Sequence, residues 1–265
     1  GISISMAALV SRMIGQRNTD QARRFVVNIV ALALVVTSLT SALIWFNLPF
    51  LFRLLGAEGD ALNEGVSYLQ ILIPSLPLFS AGMVMSAAIR AVGDARLAML
   101  VTLLGGAVNA ILDPIFIFGI GPVPAMGLDG AATAALLARG SMFLGTIYFM
   151  VYRLDMVTFN KPDLAELKRS WRDILHVGLP AAGTNAIIPV AMTVITAMIA
   201  RYGPEAVAGF GVASRIESLV LVIFYALSSV IGPFVGQNLS AGSETRIQEA
   251  LRLCALFCLA SGLVI

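Results

Sequence analysis

Few residues of this chain can do chemistry, and the strongest of them share one short run. LLGGAVNAILDPIFIFGIG carries Asn109 and Asp113 four residues apart, with Pro114 immediately after. That spacing puts both side chains on one helix face, about 6 Å apart along the axis. Pro114 has no N–H to offer the carbonyl of Ala110, so it frees an acceptor and makes position 114 a candidate hinge. A carboxylate, an amide and a loosened carbonyl form an oxygen-rich niche suited to a proton or to Na⁺. The run is otherwise apolar, and an ionisable group at membrane depth is costly enough to mark a functional candidate. The competing reading is that the two side chains bond across helices and only fix packing.

Four further residues join the candidate set. Thr133 lies about six residues into the next apolar run and is expected at the depth of Asp113, although a Thr in a membrane helix often bonds to its own backbone. Arg139 sits mid-run in AATAALLARGSMF, and Arg215 and Glu217 sit mid-run in GVASRIESLVL. Each should line a cavity, serve a relay or pair with a neighbour rather than face lipid. Asp129, in GLDGAAT, reads as a helix N-cap. Cys254 and Cys258 are four apart in an apolar run and read as packing residues. His176 is a lone histidine near a membrane edge without metal partners, so no metal site is expected beyond a possible Na⁺ at Asp113. Phosphate-binding, nucleophile-elbow and metalloprotease motifs are absent, which gives no support to ATP drive within the chain or to a hydrolase.

These side chains need helices to position them, and composition says which kind. The chain is 58% hydrophobic and 12% charged, with a mean hydropathy of +0.92. So few charges could not cover a soluble surface. A net charge of +2 gives no case for a nucleic-acid partner. Apolar runs near 25–47, 62–88, 97–119, 128–151, 174–200, 206–235 and 248–265 are long enough to span a bilayer, and 1–15 reads as part of an earlier span. Spans in lipid must satisfy their own backbone, so they are expected to be helices. Arg and Lys collect in every second connector, near 16–24, 89–96, 153–172 and 238–247. The positive-inside rule makes those connectors cytoplasmic and the protein multi-pass.

Residues 153–172 form the longest polar connector. Leu164, Leu167 and Trp171 recur there at helical spacing, which predicts a short amphipathic helix on the membrane surface. An internal repeat supports a boundary at this point. Ile14-Gly15-Gln16-Arg17-Asn18 resembles Val235-Gly236-Gln237-Asn238 at an offset of 221 residues. Six spans per period is an even number, so the copies share an orientation, as in transporters built from parallel repeats. The expected division is an N-lobe at 1–152, a linker at 153–172 and the start of a C-lobe at 173–265. Both ends read as cuts within a longer protein.

The stretches LVSRMIGQRNTDQARR, AAIRAVGDARLAMLVTLLGGAVNAILDPIFIFG, MGLDGAATAALLAR and SSVIGPFVGQNLSAG resemble the multidrug and toxic compound extrusion (MATE) family of bacteria and archaea. The resemblance covers essentially the whole chain. It implies an all-α membrane protein of twelve helices in two six-helix lobes, of which this chain holds about the second to the ninth. It also implies export of amphipathic or cationic organic compounds in exchange for H⁺ or Na⁺ by alternating access, without an enzymatic step or a cofactor. A monomer in the plasma membrane, the bacterial inner membrane, is expected. In one branch of the family an Asn and an Asp of the fifth helix join a Thr of the sixth and an Asp of the first. The first three map to Asn109, Asp113 and Thr133; the fourth has no counterpart here. Another branch uses a carboxylate in the seventh helix, and residues 174–200 contain none. The alternative is a flippase for lipids or lipid-linked sugars of the same two-lobe plan. It should carry a strongly cationic cavity, for which Arg139 and Arg215 are thin support.

Overall fold

Several helices in this chain end where a residue turns the backbone left-handed. Gly93 (φ +108°) closes one: its N–H donates to the Arg90 carbonyl, and that of Asp94 donates to the Ile89 carbonyl. This double bond at a helix C-terminus is the Schellman arrangement. Asp94 then starts the next helix, its carboxylate accepting from the Leu97 N–H at 3.0 Å. The Arg-x-x-Gly-Asp stretch is thus a stop and a start in five residues. Gly242 closes a second helix in the same way, and Arg17, at φ +60°, closes a third.

The computed structural model describes residues 1–54, 59–158 and 163–264, and among them all regular structure is helical. In order these are α1 (Ile2–Gly15), α2 (Thr19–Phe46), α3 (Leu48–Leu54), α4 (Gly59–Leu72), α5 (Leu76–Val92), α6 (Ala95–Phe118), α7 (Gly127–Tyr148), α8 (Leu164–Ile199), α9 (Pro204–Ser240) and α10 (Glu244–Val264). A 3₁₀ turn at Ile73–Ser75, set by Pro74, joins α4 to α5. A single wide turn at Phe149–Arg153 ends α7. Six segments are long and apolar enough to cross a membrane, and large side chains such as Leu39, Phe46, Leu103, Leu144 and Leu219 stand exposed along them. A soluble protein would not expose so much contiguous apolar surface, whereas a bilayer covers it. The protein is a multi-pass helical membrane protein.

The run at 248–265 is helical as α10 as far as Val264. One expectation changes. The amphipathic stretch after Pro162 is not a separate surface helix: it is the opening of α8, one helix of 36 residues. The helix continues from this stretch into the apolar part, with Pro180 and Pro189 inside it. Leu164 is exposed, while Leu167 and Trp171 are half-buried. Glu58, Lys161 and Pro162 themselves lie outside the described residues.

Packing defines two units. One holds Asp20–Ile89 and Asp94–Trp171. Its core includes Phe25, Ile29, Ile89, Val101 and Met150, and α7 packs along both α6 and α4. The start of α8 is fastened to α2 within this unit. Trp171 Nε1 donates to the Asn28 carbonyl at 2.9 Å, and Asn28 Nδ2 donates to Ser170 Oγ at 3.2 Å. Arg23 pairs with Asp155 at 2.6 Å on the same side. The other unit holds Gly1–Thr19, Arg90–Gly93 and Arg172–Ile265, with α1 laid along α9 and α10 beside α9. Contacts thus group α1 with α9, whereas the repeat groups it with the residues up to 152.

Candidate functional site

The site is built on the α6–α7 hairpin, and small residues set how closely its arms approach. A Cβ on Gly130 would overlap the Phe116 carbonyl, and one on Gly105 would lie 3.2 Å from Met142 Cβ. Gly119 (φ +72°) ends α6, and the Met126 N–H donates to the Phe116 carbonyl at 2.9 Å, which pins the start of α7 to the end of α6. With Phe116 against Gly130 and Gly105 against Met142, the antiparallel register brings Thr133 level with Asp113.

Asn109 Nδ2 donates to Asp113 Oδ1 at 3.2 Å, and both residues are half-buried. The amide leaves the second carboxylate oxygen free to accept from or coordinate another group. Helix α6 runs through Pro114 to Phe118, five residues beyond Asp113, so the carboxylate lies roughly 8 Å from the helix end. Thr133 donates its hydroxyl to the Asp129 carbonyl at 2.8 Å, one turn back on its own helix. It shares the depth of Asp113 but keeps its hydrogen within α7.

Asp129 is not the N-cap. Helix α7 begins at Gly127, so Asp129 lies in the first turn, where a carboxylate meets the helix's free N–H groups. Its Oδ2 accepts from Ser67 Oγ of α4 at 2.8 Å. A cavity of about 470 Å³ opens there, lined by Asn63, Glu64, Ser67, Met126, Leu128 and Asp129.

Arg139 is held away from the Asp113 niche. Its Nη1 donates to Ser75 Oγ at 2.8 Å, and its guanidinium carbon stands 5.0 Å from the centre of the Phe79 ring. Both partners lie at the break between α4 and α5, where Pro74 turns Ser75 inward. Arg215 and Glu217 are exposed on α9, with no ion pair or hydrogen bond to either side chain among the described residues. The pairs Ser67–Asp129 and Arg139–Ser75 were not apparent from sequence, because each joins residues more than sixty positions apart. No group of three metal-ligating side chains occurs among the described residues.

The MatE family model matches residues 1–115 and 180–265, which include Asn109, Asp113, Arg215 and Glu217. The chain belongs to the MATE family. MATE family members are transporters and not enzymes. Among curated relatives, a FAD transporter of Shewanella oneidensis is 34% identical over 98% of this chain and 57% of its own length. A probable multidrug resistance protein, NorM, of Thermotoga maritima is 28% identical over 100% of this chain and 58% of its own length. A multidrug resistance MATE family transporter of the MOP superfamily, solved in an outward-facing conformation, superposes with a TM-score of 0.88 at 27% identity, over 100% of this chain and 58% of that one. The chain therefore spans a little over half the length of the relatives it matches.

Proposed function

We propose that this MATE chain is part of a secondary active efflux transporter that exports amphipathic or cationic organic compounds by antiport against H⁺ or Na⁺. The observation that carries the reading is the Asn109–Asp113 pair, a half-buried carboxylate within a membrane span with one oxygen uncommitted. In this reading the coupling ion binds at Asp113 with Asn109 and Thr133 beside it, and Pro114 is the hinge at which α6 responds. Thr133 would have to release the Asp129 carbonyl to join. Ion and cargo each favour one arrangement of an N-lobe (1–152) and a C-lobe (173–265), because a ligand shifts an equilibrium only by its differential affinity for the two states. The protein works as a monomer in the plasma membrane, without a cofactor.

The likeness to a FAD transporter favours a second reading of the cargo: an aromatic, anionic dinucleotide in place of a cation. Transport by the full-length protein in vesicles tests both. Imposed H⁺ and Na⁺ gradients should each be tried with an organic cation and with FAD as cargo. Asp113→Asn is expected to abolish gradient-driven export of whichever cargo moves. Unchanged export and coupling in Asp113→Asn would remove the site assignment.

A further inference from the structure

We propose that Gln237 is the tongue of a latch at the basic-connector end of the protein, closing α9 onto the last turn of α5 and onto α1. The argument begins with an accounting of carbonyls. A helix C-terminus leaves its last carbonyls without partners in the helix. At the end of α5 the Schellman turn satisfies two of them, Ile89 and Arg90, through the N–H groups of Asp94 and Gly93. The next carbonyl, that of Ala91, has no such donor. Ala91 is fully buried, so water is not an easy substitute. Gln237 Nε2 fills the position, donating to the Ala91 carbonyl at 2.5 Å.

The surroundings are shaped for this reach. A Cβ on Gly93 would lie 3.7 Å from Gln237 Nε2. A Cβ on Gly15 would overlap the carbonyl of Gln237, and one on Gly236 would overlap Ser11 Oγ. The two glycines of the repeated Gly-Gln motif thus let α1 and α9 approach closely enough for Gln237 to extend to α5. Ser11 is fully buried under this crossing. The three chain ends that meet here, after α1, after α5 and after α9, lead into three of the basic connectors, which the positive-inside rule makes cytoplasmic.

One neutral hydrogen bond is strong enough to bias the crossing and weak enough to break in every cycle. Its loss should change the open population about fivefold. The role in an export cycle rests on the reading above; the latch itself does not, and it is tested without transport. The full-length protein, with its other cysteines removed, carries Ser11→Cys as a reporter. Alkylation by a membrane-impermeant maleimide is followed in inside-out vesicles. Gln237→Ala is expected to speed alkylation about fivefold, and Gly15→Val, which wedges the crossing, should do so as well. An Ala134→Cys reporter, fully buried elsewhere, should keep its slow rate with a permeant maleimide. If both variants leave Ser11→Cys alkylation within about twofold of the parent, or if Ala134→Cys accelerates in parallel, there is no latch. Should Asp113→Asn leave export intact while Gln237→Ala exposes Ser11→Cys, the coupling site fails and the latch stands. The reverse pair of results removes the latch alone.

Discussion

Helices α7 and α9 both carry arginine in a membrane span, and the two arginines live differently. Arg139 of α7 meets Ser75 Oγ and the Phe79 ring, and Asp113 of the adjoining α6 meets Asn109. Arg215 of α9, with Glu217 two residues on, stands exposed with no such partner among the described residues. In the first region each charged group of the span has a partner within the hairpin or its immediate neighbours, and only the second oxygen of Asp113 is left open. Charges like those of α9 are met by water or by other parts of a protein. The difference separates groups that shape the N-terminal half from groups that wait for something to face them.

The largest test of this contrast is functional. Asp113→Asn should abolish gradient-driven export by the full-length protein, while Glu217→Gln should retain most of it. If Glu217→Gln proves the more damaging in vesicles, the important carboxylate is on the other helix. Next comes packing. Gly130→Leu places a side chain where the Phe116 carbonyl already sits and should cost about 3 kcal/mol, read as a lowered melting temperature in detergent. Gly106→Ala on the same hairpin has open space around it and should be stabilising by about 0.5 kcal/mol. Arg139→Met removes the Ser75 bond and the contact with Phe79 and should cost about 1–2 kcal/mol. Arg215→Gln, exposed and unpartnered, should change stability by less than about 0.5 kcal/mol. Equal melting shifts for Arg139→Met and Arg215→Gln would erase the distinction. The smallest effect is expected at Thr133, where Thr133→Val loses only a bond to its own helix, about 0.5 kcal/mol or less. Export by Thr133→Val should nevertheless depend more weakly on ion concentration, because the proposed site sets the hydroxyl beside the ion; an unchanged dependence would take Thr133 out of it.

What could be read from sequence was local. Asn109 and Asp113 are a four-residue pair on one helix, so periodicity alone put them together. Spans were legible because lipid demands long apolar helices, and the basic connectors marked their ends. The partners of Arg139 and Asp129 were not, because they depend on where α4 breaks and which helix lies across it. Asp129 looked like a cap because Asp commonly is one, but the helix begins two residues earlier. The start of α8 looked like a surface helix because its polar face was clear, while its continuation into the next span did not show in that local pattern. Gln237 looked like half of a repeat. Its task at Ala91 appears only when the carbonyls of α5 are counted.

Arg17 occupies a left-handed position that α5 and α9 give to glycine. A non-glycine residue pays about 1 kcal/mol for that backbone. Glycine there would make a more stable helix end, yet it would also remove a positive charge from a connector that the positive-inside rule expects to be cytoplasmic. Helix termination and charge placement therefore ask for different residues at position 17, and the sequence keeps the charge.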